Sequence, residues 1–204
     1  MQLYYAKGTI AVAVAIALHE AGLGFEPVRL DFKAGEQRQP RYHAVNPKGR
    51  VPALVTDQGI LTETAAILEH IADLAPAAGL RPSDPWQAAR MREAMLYLAS
   101  TMHVNHAHRA RGQRWADLES SLADMRTKAV ETMTASAEHV EHHMLQGPYV
   151  LGEAVSLADP YLFVACSWLE GDGVDMANFP KIAAFVETMR TRASVAQVIA
   201  DDMI

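Results

Sequence analysis

The chain has 204 residues, 50% of them hydrophobic and 21% charged, with 18 Lys and Arg against 24 Asp and Glu for a formal net charge of −6. That apolar share excludes a disordered chain, and 12 Gly and 10 Pro exclude a collagen-like one. The acidic balance argues against nucleic acid as a partner, because gripping a phosphate backbone takes a basic face. The single cysteine, Cys166, excludes an intrachain disulfide, a CxxC redox pair and a Cys-rich zinc site.

Strand and helix signals alternate over the first 75 residues. Leu3 to Tyr5 is apolar and aromatic and reads as a strand; Gly8-Thr9 breaks it and caps a helix. The apolar run Ile10 to Leu18 continues that helix to Ala21, with Gly22 in the position that ends it. This run is about half the length of a bilayer span. Its start, Met1-Gln2-Leu3-Tyr4-Tyr5, lacks the positive charge of a secretory leader, so neither a membrane nor secretion is expected and the cytoplasm is. A helix apolar all round is buried on several sides, and its alanines permit close approach to a sheet. Phe25 to Phe32 alternates around Val28 and Leu30 as a second strand, which suggests a βαβ unit. Asn46-Pro47-Lys48-Gly49 is a turn cluster, and Val51 to Val55 a short strand with Pro52 near its start. Asp57-Gln58-Gly59 joins it to Ile60-Leu61-Thr62 as a hairpin. Thr64 opens a helix whose apolar face is Ala65, Ile67, Leu68, Ile71 and Leu74.

Residues 76–85 turn to Ala, Pro, Gly and Ser and read as a linker. Beyond it, residues 86–204 show helical patterns: Trp86 to His108, Trp115 to Leu145, a stretch through Trp168 that opens on the capping box Ser156-Leu157-Ala158-Asp159, Phe179 to Arg190, and Val195 to Ile199. The expected architecture is an α/β domain over residues 1–75 joined to an all-helical one.

These residues carry a resemblance. Leu3-Tyr4-Tyr5 through Ile16-Ala17-Leu18, then Asn46-Pro47-Lys48-Gly49-Arg50-Val51-Pro52-Ala53-Leu54, then Leu61-Thr62-Glu63-Thr64 with Ile67, and Ser156-Leu157-Ala158-Asp159 resemble a cytosolic glutathione transferase, most closely the bacterial beta class. The resemblance spans nearly the whole chain. It implies a thioredoxin-like N-terminal domain, an all-α C-terminal domain, and a homodimer binding one glutathione per subunit. In such a family a cis peptide bond precedes the proline at Pro52, and the free backbone of Val51 holds the cysteinyl residue of glutathione as an added strand. Thr64 and the amides of the first helical turn receive the γ-glutamyl carboxylate. Glu63 pairs with the α-amino group, and Arg50 and Lys33 are candidates for the glycyl carboxylate.

Catalysis requires glutathione's thiol as thiolate. A free thiol has a pKa of about 8.5, so making it mostly thiolate at neutral pH takes roughly 2 units, or about 2.7 kcal/mol. A helix N-terminus contributes about 0.3 to 1 kcal/mol and up to about 2 in good geometry, and a hydrogen bond to a charged group adds about 1.5 to 3. A donor at the helix start is therefore expected. On the beta-class pattern the cysteine falls on Ile10 and the following serine on Ala11, so neither side chain donates. Thr9, the expected N-cap, is the candidate donor together with helix-start amides, and Tyr5 is the other hydroxyl nearby.

In the helical half, His103, His106 and His108 with Arg109, Arg111, Arg114 and Trp115 form a dense cluster. The resemblance places His103 at the active site, and His103, His106 and Trp115 are candidates for the wall of an electrophile pocket. No metal is expected, since spacings of three and two do not put these histidines on one helix face. His139, His142 and His143 lack the Glu of a zincin helix and read as a solvated face. The expected activity is conjugation of the glutathione thiolate to a small hydrophobic electrophile, a detoxification chemistry. The alternatives are glutathione-dependent thiol exchange or peroxide reduction, or a non-catalytic glutathione- or ligand-binding homologue.

Overall fold

The computed structural model describes residues 1–204, which divide into two compact units: Met1–Asp84 with Arg190–Ile204, and Pro85–Met189. The sequence pattern alone assigns residues 190–204 to the helical part. Their contacts instead join residues more than 170 positions apart, which no local pattern can register.

The first unit is built on a four-stranded mixed sheet in the order β2-β1-β3-β4, with β1 Gln2–Tyr5, β2 Glu26–Arg29, β3 Ala53–Thr56 and β4 Gly59–Thr62. β1 and β2 are parallel and joined by helix α1, Ala11–Glu20. β3 lies antiparallel to both β1 and β4, with Leu3 opposite Leu54 and Leu54 opposite Leu61. Every residue of α1 from Ala11 to Leu18 is buried, as an alanine-rich, all-apolar helix against a sheet requires. Gly22, at φ 65, closes α1 as expected: Leu23 N–H reaches Leu18 C=O at 2.9 Å and Gly22 N–H reaches His19 C=O at 3.1 Å. A four-residue helix α2, Pro40–His43, precedes β3, and α3, Thr64–Leu74, follows β4 with Ile67, Leu68 and Ile71 in the core.

The second unit is helical. α4, Pro85–Tyr97, runs through a π-helical stretch, Leu98–Met102, into α5, His103–Arg111. α6, Glu119–His139, ends in a second π-helical stretch, Val140–Met144. Its start corrects the expected one at Trp115, which follows a 3-10 turn over Gly112–Arg114. α7, Ala158–Cys166, is buried at all nine positions. The capping box before it forms, with Ser156 N–H donating to Asp159 Oδ2 at 2.7 Å and Ala158 N–H donating to Ser156 Oγ at 3.3 Å. Asp159 also accepts from Val150 N–H at 2.8 Å, so one fully buried carboxylate anchors a loop and a helix together. α8, Pro180–Arg190, is capped at a distance, since the buried Glu141 carboxylate accepts the N–H groups of Lys181 and Ile182 at 2.9 and 3.0 Å. The last helix, α9, Ala193–Ala200, packs on α1 in the first unit. No helix is long and apolar enough to cross a membrane.

Candidate functional site

Two helix N-termini of the first unit, at α3 and α1, supply the groups of the site. At α3, Glu63 occupies the N-cap with a positive φ of 73 and an exposed carboxylate, paired with the Lys48 ammonium. Lys48 also donates to Thr62 Oγ1 at 2.7 Å. Thr64, the first helical residue, is buried. Ile67 N–H is the first to close onto Glu63 C=O, at 3.0 Å, so the N–H groups of Thr64, Ala65 and Ala66 remain for an anion. A carboxylate, an ammonium and three free amides at one helix start suit a ligand end that carries both charges.

Beside this lies the entry to β3. The Val51–Pro52 peptide bond is cis. The ladder with β4 begins at Ala53, opposite Thr62, so Val51 lies outside it and its N–H and C=O make no hydrogen bond within the chain. The preceding carbonyl, of Arg50, is held from below by Tyr42 Oη and Asn46 Nδ2, each donating at 2.6 Å. Both residues are buried, and burial pushes the Tyr42 phenol up to about 12 despite the opposing hydrogen bond with Asn46. The turn also needs Gly49: at φ 60, a Cβ there would sit 2.9 Å from the Gln37 carbonyl oxygen. Arg50 and Lys33 are exposed and form no ion pair within the chain, and Lys33 N–H donates to Asp31 Oδ1 at 2.8 Å.

The start of α1 differs from expectation. Its N-cap is Ile10, which offers no side-chain hydrogen bond. Thr9 is not the cap: its hydroxyl donates to Ala6 C=O at 2.7 Å and its carbonyl accepts Val12 N–H at 3.0 Å. A hydroxyl has one proton, and the nearby carbonyl of the β1–α1 turn takes it. Ala13 N–H bonds Ile10 C=O at 3.1 Å, which leaves the N–H groups of Ile10 and Ala11 without an acceptor in the chain. Tyr5, at the end of β1, is 5% exposed and its hydroxyl makes no hydrogen bond within the chain.

In the second unit the histidine cluster is bound into a network. His106 Nδ1 lies 2.7 Å from Asp172 Oδ2, and the ring stacks on Trp168 at 4.3 Å and 17°. Arg109 donates to the Asp172 carbonyl at 3.0 Å, and Asp172 is 2% exposed. His106 thus pairs with a buried carboxylate. His103 lies 5.0 Å from Trp168, and Trp115 packs edge-on against His108 at 4.5 Å. His139 is no plain solvated residue: its ring lies 4.3 Å from Tyr97 and it lines, with His143, Trp86, Arg90 and Met144, a cavity of about 460 Å³. Burial first, and then the neighbouring His143, lower its pKa. Burial raises the Cys166 thiol far above its ordinary range, which suits a packing role. No group of three or more His, Cys, Asp or Glu side chains is placed to hold a metal ion.

The sequence left Lys48, Tyr42 and Asn46 unassigned, although the Asn-Pro-Lys-Gly turn marked their neighbourhood. Asp172 and Trp168 had no such marker.

Comparison with known proteins fits this arrangement. The family models for the glutathione S-transferase N-terminal and C-terminal domains match residues 1–73 and 92–193. A solved glutathione transferase homologue from Sulfitobacter, with bound glutathione, is 59% identical, covers 100% of this chain and 98% of its own, and superposes with a TM-score of 0.98. The chain belongs to the glutathione S-transferase family. A bacterial beta class glutathione S-transferase from Sphingomonas chungbukensis is 29% identical over 99% of this chain and 98% of its own, with a TM-score of 0.86. A maleylacetoacetate isomerase of Pseudomonas aeruginosa is 34% identical over 89% of this chain and 87% of its own length. The mixed sheet of the first unit and the helices of the second are the thioredoxin-like and all-α parts of the glutathione transferase fold.

Proposed function

We propose that this transferase binds glutathione on the first unit and attacks a small apolar electrophile with the glutathione thiolate, acting as a cytoplasmic homodimer in detoxification. The observation that carries this is the α3 start beside the free Val51 backbone: Glu63 and Lys48, the amides of Thr64 to Ala66, and an unpaired strand edge held in place by Tyr42 and Asn46. The γ-glutamyl end takes the helix start, the cysteinyl residue pairs with Val51 as an added strand, and exposed Arg50 and Lys33 attract the glycyl carboxylate. An arriving α-amino group exchanges with Lys48 at the Glu63 carboxylate.

The thiolate lies at the start of α1. With the Thr9 hydroxyl donating its hydrogen bond to Ala6 C=O, the donors to the thiolate are the N–H groups of Ile10 and Ala11, with Tyr5 as the hydroxyl still uncommitted. Each hydrogen bond to a charged group contributes about 1.5 to 3 kcal/mol, so two amides cover the roughly 2.7 kcal/mol that ionisation at neutral pH requires. His103, His106 and Trp115 belong to the surroundings of the electrophile, with His106 orientation set by Asp172.

The test is glutathione binding by calorimetry, ultraviolet titration of the bound thiol, and turnover of an aryl halide, a hydroperoxide and a mixed disulfide. Conjugation of the aryl halide with a lowered thiol pKa is expected; glutathione binding with no pKa shift would make the protein a non-catalytic binder. The relative named maleylacetoacetate isomerase makes isomerisation of a small unsaturated acid a second reaction to test at the same site. A cis-enone carboxylate belongs in the substrate panel for that reason.

A further inference from the structure

The end of the chain is tied to the loop that sets the start of α1. α9 packs on α1, with Val195 and Val198 buried, and is held to it by Arg192, whose Nε and Nη2 donate to the two Glu20 carboxylate oxygens at 2.5 and 2.7 Å. Burial opposes the Glu20 charge, yet the Arg192 and Ser194 hydrogen bonds and the Arg192 charge hold its carboxyl below the usual range. From this anchor the chain turns through Asp202, in the left-handed region at φ 52, and buries Met203. The Met203 carbonyl accepts Gly8 N–H at 2.9 Å. The Asp202 carboxylate takes the Lys7 ammonium and, at 3.1 Å, Arg29 Nη1 from the end of β2.

Lys7 and Gly8 lie in the turn between β1 and α1, three and two residues before Ile10. Gly8 takes a left-handed φ of 68, and Ala6 C=O accepts both the Thr9 hydroxyl and Thr9 N–H, at 2.7 and 3.2 Å. The turn is therefore fixed from inside by Ala6 and from outside by residues 202 and 203. A rigid helix follows it, so a tilt of the turn re-aims the N–H groups of Ile10 and Ala11 together. No side chain at the start of α1 can compensate, since Ile10 and Ala11 carry no donor. Misplacing a catalytic contact by about 1 Å costs up to about a hundredfold in rate, far more than an exposed ion pair contributes to stability.

We infer that Asp202 and Met203 are positioning residues for the thiol site, with the Asp202 carboxylate clamping Lys7 and Arg29 so that the α1 amides face the sulfur. This rests on the thiolate lying at the start of α1. The expected signature is a change in thiol ionisation with little change in stability or in glutathione affinity, because the contacts at α3 and Val51 are untouched.

The experiment compares the parent protein with Asp202→Asn, Lys7→Met and Asp202→Glu, reading the pH midpoint of bound-thiol ionisation, the pH profile of kcat/KM, glutathione KM and Tm. Asp202→Asn and Lys7→Met should each raise the midpoint by about 0.5 to 1 unit, a roughly three- to tenfold loss of thiolate at a pH below it. KM for glutathione should hold, and Asp202→Glu should restore most of the midpoint. Unchanged midpoints in both variants, with a lowered midpoint in the parent, overturn the positioning role and leave the proposed function standing. A midpoint shift that follows a fall in Tm and is not restored by Asp202→Glu also overturns it. An unshifted thiol in the parent protein overturns the thiol-site assignment and this inference with it.

Discussion

The starts of α3 and α1 offer a ligand the same thing, the free N–H groups of a first helical turn, but they are built in opposite ways. At α3 the side chains contribute: Glu63 and Lys48 carry charge, buried Thr64 adds a hydroxyl, and Tyr42 with Asn46 sets the neighbouring strand edge. At α1 the side chains are Ile10 and Ala11, and the hydroxyl next to them in sequence, on Thr9, serves the turn. On the proposed function, binding is thus specified by side chains and activation by backbone. Among the natural side chains only proline deletes a backbone donor, so under every other substitution its behaviour depends on whatever orients the helix.

The sharpest way to break the binding side is Gly49→Ala. A Cβ 2.9 Å from the Gln37 carbonyl, at a left-handed φ, forces the Arg50–Val51 segment to move. Glutathione affinity should fall by more than about tenfold, with a stability loss of about 1 to 3 kcal/mol by denaturant titration. Next is Glu63→Ala, which should raise glutathione KM by roughly tenfold with kcat nearly unchanged, the mark of lost ground-state binding. A matching fall in kcat would mean that the α3 side chains also act on the thiol.

Tyr42→Phe should raise KM a few-fold, since it removes one of the two donors on the Arg50 carbonyl and leaves Asn46. It also has a pH signature. The folded phenol is raised from 10.0 to about 12, so its contribution to stability is complete below about pH 10 and is lost as pH rises toward 12. Melting curves across that interval should fall more steeply for the parent than for Tyr42→Phe. The smallest effect is expected at α1: Thr9→Ala should leave the thiol midpoint within about 0.3 units while costing about 1 kcal/mol of stability for the lost bond to Ala6. A rise of a full unit would give the thiolate to the Thr9 hydroxyl and erase the contrast.

Local pattern was enough for much of this. The glycine that closes α1, the helix opening at Thr64 and the capping box at Ser156 each depend on residues within one turn, so composition and spacing reveal them. What was missed is long-range or competitive. Lys48 meets Glu63 across 15 positions, His106 meets Asp172 across 66, and Lys7 meets Asp202 across 195. The N-cap expected at Thr9 gave way to competition, because the helix-start amides and a turn carbonyl both lie within reach of one hydroxyl and only the folded turn decides between them. The two π-helical stretches, at Leu98–Met102 and Val140–Met144, shift the helical phase by amounts that a single period cannot show.

A crystal structure of the full chain with glutathione bound tests the central claim most directly. The sulfur should lie within about 3.5 Å of the Ile10 or Ala11 nitrogen, with the Thr9 hydroxyl still on the Ala6 carbonyl. A sulfur held by Thr9 Oγ1, with the bond to Ala6 broken and both amides remote, would contradict it.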